Sequence, residues 1–214
     1  MRDTTRALSD WLAADFRQIG QIAILKSGAG FELLHFEDRH RSDLALHFTP
    51  ADARALSTYT DEEQFRPLKS APNLRHGWKL RLQDVESLRV ALDFFYPAML
   101  GTLLDQEEGT LRPVSLRETL GRQSGMYAVT KKITDEQADA VIGGLCDSRR
   151  GCLKTILWPI ASDRSVTSLP DTKFDPATSQ ISTDLRTLPL LCCEACNLLV
   201  AAMREAVKKA PAAG

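Results

Sequence analysis

The first 145 residues of this 214-residue chain contain no cysteine, and all five cysteines fall between Cys146 and Cys196. No apolar run approaches the roughly 18 residues that a membrane-spanning helix needs, so no membrane partner is expected. Charge of neither sign prevails. Lys and Arg number 27 against 28 for Asp and Glu, a net charge of −1. A dedicated nucleic-acid binder is usually strongly basic, so no nucleic-acid partner is expected either. The opening MRDTTRALSDWLAADF mixes charges into its apolar positions and lacks a signal-peptide core and a small-residue cleavage site. Those absences predict a cytoplasmic protein. No Ser-His-Asp or Cys-His arrangement has supporting local sequence, so no catalytic residue is nominated, and no internal repeat is found.

What remains is an ordinary globular composition, 43% hydrophobic and 26% charged. Leu8, Trp11, Leu12, Phe16 and Ile19 recur at helical spacing, and Gly20 closes that helix. QIAILK (21–26) and FELLHFED (31–38) flank Ser27-Gly28-Ala29-Gly30 and read as a β-hairpin. DLALHF (43–48) supplies a third strand with Leu44, Leu46 and Phe48 on one face. Thr49-Pro50 opens a helix running to about Tyr59. GWKLRL (77–82) alternates as a strand, with Trp78, Leu80 and Leu82 facing one way. Asp84 caps a helix over 85–95 that buries Leu88, Ala91, Leu92 and Phe95, and Pro97 breaks or kinks it.

Gln106-Glu107-Glu108-Gly109 is the best linker candidate, and periodicity beyond it is almost wholly helical. Ser115-x-x-Glu118 and Thr134-x-x-Gln137 both fit the capping box. The second opens a helix that leads to Cys146. A final helix is predicted from about Cys193 to Lys209, after a long wrapping loop over 161–190. The fold class is therefore α+β. A small antiparallel sheet with helices occupies residues 1–108, and a mainly helical, cysteine-containing domain occupies residues 109–214.

The cysteines stand as Cys146-x5-Cys152 and, much later, Cys192-Cys193-x2-Cys196. In a cytosolic chain such a cluster reads as metal ligands or reactive thiols rather than disulfides. Four thiolates suffice for an iron–sulfur cluster or for a tetrahedral zinc ion. At the start of the last helix, Cys192 and Cys196 stand one turn apart and can point at one bound object. Arg149, Arg150 and Lys154 add cations that lower thiol pKa values. The spacing matches neither zinc knuckles nor ferredoxin runs. An iron–sulfur cluster, a zinc ion and unligated thiols all remain open on spacing alone.

The runs GCLKTILWPI (151–160) and LPLLCCEACNLLVAAMREAV (188–207) resemble an iron–sulfur-binding domain associated with sirohydrochlorin-type cobaltochelatases, and the hairpin-plus-helix half resembles the stabilising domain that precedes it. The resemblance implies a [4Fe-4S] cluster held by Cys146, Cys152, Cys192 and Cys196. In that family a proline commonly follows the third cysteine. Here Cys193 stands there, as a bystander or an alternative ligand. The resemblance further implies electron transfer or redox sensing as an accessory to a tetrapyrrole or cobalt-chelatase pathway. Its partners would be a redox protein or a chelatase, and a tetrapyrrole. The competing reading is a non-catalytic interaction protein with a structural four-cysteine zinc site.

Other features have plainer readings. His35 and His40 flank a charged turn as solvated strand-end histidines, with a metal site the minor reading. Phe94-Phe95-Tyr96 is core. Trp158 either shields a cluster or anchors the core, and Arg149-Arg150 are counter-charges or a docking patch for an acidic partner.

Overall fold

The computed structural model describes residues 4–12, 16–28, 30–147, 149–160 and 187–209. In chain order the first elements are α1 (Thr4–Trp11), β1 (Phe16–Ile19), β2 (Ile22–Ser27), β3 (Gly30–His35), β4 (Ala45–His47) and α2 (Asp52–Thr58). Next come β5 (Trp78–Leu82), α3 (Val85–Phe95), α4 (Met99–Glu107), α5 (Leu116–Gly121) and α6 (Asp135–Leu145). The last are β6 (Lys154–Ile156), β7 (Thr187–Leu188), β8 (Leu190–Cys192) and α7 (Asn197–Lys209). Phe36–His40 and Gly125–Lys132 are 3-10 segments. The class is α+β. Contacts divide the chain into one unit of Met1–Thr110 with Gln180–Leu190 and another of Leu111–Ser179 with Leu191–Gly214.

The first unit carries a six-stranded sheet in the order β4-β5-β3-β2-β1-β7. Its centre is antiparallel, and the expected hairpin joins β2 to β3 with Ser27 opposite Gly30. Both edges depart from the antiparallel expectation. β4 runs parallel to β5, and β7 runs parallel to β1. The physical reason is connection length. Residues 48–77, with α2 among them, are long enough to return the chain in the same direction, and β7 arrives from far along the sequence.

The single N-terminal helix expected to reach Gly20 is two elements. α1 stops at Trp11, and Phe16–Ile19 pairs antiparallel with Ile22–Leu25. Ile19 and Ile22 are fully buried there, so sheet pairing overrides an apolar spacing that also fits a helix. Gly20 makes the tight turn at φ +53°, and a Cβ on it would lie 2.6 Å from Tyr96 Oη. That oxygen accepts the Gln21 N–H at 2.8 Å. Burial pushes the Tyr96 phenol up to about 12, so it stays protonated.

β5 alternates as expected, with Trp78, Leu80 and Leu82 buried. Asp84 caps α3 by accepting the Ser87 N–H at 2.7 Å, and Leu88, Ala91, Leu92 and Phe95 pack inward. Trp78 stacks on Phe95 at 5.2 Å. β4 is a three-residue edge strand, and Leu46 on it and Phe48 just after it are exposed. The helix expected after Thr49-Pro50 begins at Asp52. The charged stretch before β5 hides an internal clasp: Arg66 is buried and donates to the Lys69 and Ala71 carbonyls at 2.8 Å.

The second unit packs around Trp158, Leu116, Leu120, Ile142, Leu199 and Met203. Thr134 closes a full capping box, accepting from Gln137 N–H while Gln137 accepts from Thr134 N–H. Ser115 accepts the Glu118 N–H at 3.2 Å. Such N-caps each contribute about 1 kcal/mol, and here they fix where α5 and α6 begin. Residues 161–186 of the expected wrapping loop lie outside the described residues. No helix among the described residues is long and apolar enough to cross a membrane.

Candidate metal centre

Two local structures present the cysteines, both in the second unit. Cys146 caps the end of α6, its N–H on the Ile142 carbonyl at 2.7 Å. The chain then turns tightly about the Asp147 carbonyl, which accepts the N–H groups of Arg150, Gly151 and Cys152 at 3.2, 2.7 and 3.2 Å. Gly151 makes the turn feasible: a Cβ there would lie 2.1 Å from the Leu145 carbonyl oxygen. The turn therefore returns Cys152, which is buried, to the end of the helix that Cys146 caps.

The second pair departs from expectation. Cys192 is not in the terminal helix but ends β8, and its carbonyl accepts the Leu157 N–H at 3.0 Å. α7 begins at Asn197, and Cys196 precedes it, its carbonyl accepting the Val200 N–H at 3.0 Å. The pairing of β8 with β6 holds Cys192 extended, so the two thiols are not related by one helical turn. Of the two, Cys196 is the one beside a helix N-terminus. The segment between them is anchored. The Cys193 carbonyl accepts the Val114 N–H at 2.8 Å, and the Glu194 carboxylate accepts from Thr119 Oγ1 and Arg122.

Electrostatics shows which thiols sense one another. Burial, with the charges of Cys152, Cys192 and Cys196 acting in the same direction, pushes the Cys146 thiol up to about 12. Cys192 is also raised by burial and by Cys152 and Cys196, against the lowering effect of Trp158 and Lys154. Cys193 is raised by burial and by Cys192, and Lys154 lowers it. Among the described residues, Cys146 thus feels Cys152, Cys192 and Cys196, and Cys192 feels Cys152 and Cys196, while the cysteine acting on Cys193 is Cys192. Of the expected cations, Lys154 acts on this group, whereas Arg149 and Arg150 act on Asp147.

Trp158 is the core anchor its position allowed. It is fully buried, and its Nε1–H donates to Cys192 Sγ at 3.3 Å. Sequence reading missed Gly151 and Glu194, whose roles lie in a close backbone approach and a cross-loop contact that no spacing reveals.

Cys146 and Cys192 are raised chiefly by burial, Cys152 is buried and Cys196 is exposed; thiols are donors suited to a soft metal, because a bound cation inverts the pKa logic. A tetrahedral zinc at ~2.3 Å from each sulfur places the sulfurs about 3.8 Å apart. Among the described residues, no three cysteine sulfurs approach within 4.8 Å of one another. The described residues therefore do not form a closed, zinc-sized cage of cysteine sulfurs.

Residues 4–107 match the DR2241 stabilising domain, and residues 108–205 match the 4Fe-4S iron-sulfur cluster binding domain. The crystal structure of DR2241 from Deinococcus radiodurans is similar over 96% of this chain, with 28% identity and a TM-score of 0.75. That protein is described as multi-domain, with structural similarity to chelatases but also with two additional novel domains, and this chain spans 41% of its length. No curated protein matches the chain.

Proposed function

Because the chain carries a DR2241 stabilising domain followed by a 4Fe-4S iron–sulfur cluster binding domain, we propose that Cys146, Cys152, Cys192 and Cys196 together hold one [4Fe-4S] cluster. The observation that carries this reading is that the four cysteines lie in one unit, near enough for Cys146 to feel the charges of the other three, whereas among the described cysteines Cys193 feels Cys192 alone. When bound, such a cluster supplies one-electron transfer. The residues around it supply the setting. Trp158 donates to one ligand sulfur, Lys154 offsets negative charge, and the terminus of α7 lies beside Cys196.

The role that follows is electron transfer or redox sensing in the cytoplasm, as an accessory to tetrapyrrole metal chelation. The partner is a chelatase or a redox protein, with a tetrapyrrole as the small molecule. The two domains here are read as counterparts of the additional domains in the chelatase-like relative. Redox titration of the anaerobically reconstituted protein tests the reading. A reversible one-electron wave from a brown protein supports it; a colourless, redox-silent protein with stoichiometric zinc overturns it in favour of a structural staple.

A further inference from the structure

Away from the cysteines, the first unit holds a second group of ligating side chains. One nitrogen each of His35 and His76 and one carboxylate oxygen of Glu37 lie within 4.8 Å of one another. β3 ends on His35, the 3-10 segment after it supplies Glu37, and the residues just before β5 supply His76. The two imidazoles lie tilted to one another at 46°, with centroids 3.9 Å apart. The solvated setting expected from sequence holds for His40 and fails for His35. His35 is fully buried, and its neighbour is His76, while His40 is exposed. Sequence spacing cannot show this, because β5 pairs with β3 and brings the distant His76 alongside.

The lone pairs of the group converge. Asp38 is buried and accepts the Gly77 N–H at 2.7 Å and the Arg41 guanidinium at 3.3 Å. These donors and His76 hold its carboxyl below the usual range, against the effect of burial. It lies 3.3 Å from His76 Nδ1. A carboxylate only accepts, so the proton of the neutral imidazole sits on Nδ1 and Nε2 presents its lone pair. That atom is 3.8 Å from Glu37 Oε2, which is 4.0 Å from His35 Nδ1. His35 Nδ1 is also an acceptor, taking the Glu37 N–H at 3.3 Å. Its Nε2 is buried without a hydrogen-bond partner among the described residues. With Nδ1 accepting, Nε2 carries the ring proton, and a metal ion at Nδ1 would take the place of the long Glu37 N–H contact.

We propose that His35, Glu37 and His76 bind one divalent first-row transition ion of the zinc or cobalt type. Two imidazoles and one carboxylate are the donors such ions prefer, and hard oxygen-seeking cations are disfavoured. A first shell at ~2.0–2.1 Å separates neighbouring donors by about 3.0–3.4 Å. Closing the two Glu37 separations of 3.8 and 4.0 Å requires shifts of roughly 0.4–1.0 Å, within reach of the mostly exposed Glu37 side chain, and the partly exposed His76 ring would adjust toward His35. Asp38 behind His76 is the carboxylate–histidine pairing that orients a metal ligand. The exposed side, at Glu37 and His76, admits the ion and the water that completes its shell.

Cobalt(II) added to the full-length, cluster-loaded protein tests this, with binding followed by metal analysis and by the visible spectrum. The wild-type chain takes up one further cobalt per chain, with weak ligand-field bands and no intense thiolate charge transfer. His76→Ala and Glu37→Gln each weaken that uptake about tenfold or more, and Asp38→Asn weakens it roughly tenfold. Iron content and circular dichroism stay unchanged in the first two, whose side chains are partly exposed. Equal uptake by wild type and both variants, a thiolate-type spectrum, or no uptake beyond the cluster overturns the site. If the chain loads no cluster, the same ligand-field spectrum and its loss in Glu37→Gln still decide the question, independently of the cysteines.

Discussion

Gly151→Ala is the sharpest perturbation of the turn that presents Cys146 and Cys152. The new Cβ would lie 2.1 Å from the Leu145 carbonyl oxygen, 2.6 Å from its carbon and 3.3 Å from the Asp147 oxygen. Unstrained non-bonded contacts sit near ~3.5 Å, so the backbone must yield by more than an ångström. No rotamer change can relieve a clash with main chain. The shift breaks the Gly151 and Cys152 N–H bonds to Asp147. Two such bonds at about 1 kcal/mol each, with added strain, give a loss of about 2–4 kcal/mol. Gly143 and Gly144 in α6 provide the control, since a Cβ on either meets nothing within 4 Å. Alanine there stabilises the helix by about 0.8–1 kcal/mol. Urea unfolding of the apoprotein and iron content after reconstitution provide the assays. Gly151→Ala is expected to lose both stability and most of the iron, while the controls gain stability and keep the iron. A Gly151→Ala protein as stable and as well loaded as wild type refutes the argument.

Trp158→Phe keeps a buried ring but removes the donor to Cys192 Sγ. The more negative reduced state loses more from that deletion, so the midpoint potential should fall. A difference of about 1 kcal/mol corresponds to roughly 45 mV for one electron; an unchanged potential by redox titration contradicts the hydrogen bond's role. Cys193→Ser should retain full iron and sulfide content, because Cys193 interacts with only one of the four grouped thiols; loss of iron would make it a ligand. His35 titrates at about 4 in the folded chain, chiefly because it is buried, against 6.5 when free. The unfolded chain therefore takes up the proton first as pH falls. Stability complete above pH 6.5 should be lost between 6.5 and 4, at up to about 1.4 kcal/mol per pH unit. A urea midpoint that stays flat from pH 7 to 4.5 would argue against that burial.

Local signals carried much of the fold. Asp84, Ser115 and Thr134 act as the caps their positions imply, because an N-cap is a contact within four residues. The alternation of Trp78, Leu80 and Leu82 survives because both it and its burial belong to one strand. Phe16–Ile19 was illegible, since the partner that makes it a strand is supplied by the following segment. The parallel edges β4 and β7 depend on long-range pairing in the same way. At the cysteine centre, residue type marked the thiols. The extended setting of Cys192 and the glycine demand at position 151 arise only when backbones meet. His35 with His76 is the clearest case, two residues far apart in sequence and 3.9 Å apart as rings.

The central claim is tested most directly by counting iron and acid-labile sulfide per chain after anaerobic reconstitution, in wild type and in single serine variants. The account predicts a [4Fe-4S] stoichiometry that collapses on substitution of Cys146, Cys152, Cys192 or Cys196 and survives Cys193→Ser. Full loading in a variant lacking any one of those four, or a wild-type chain that holds one zinc and no sulfide, would contradict it.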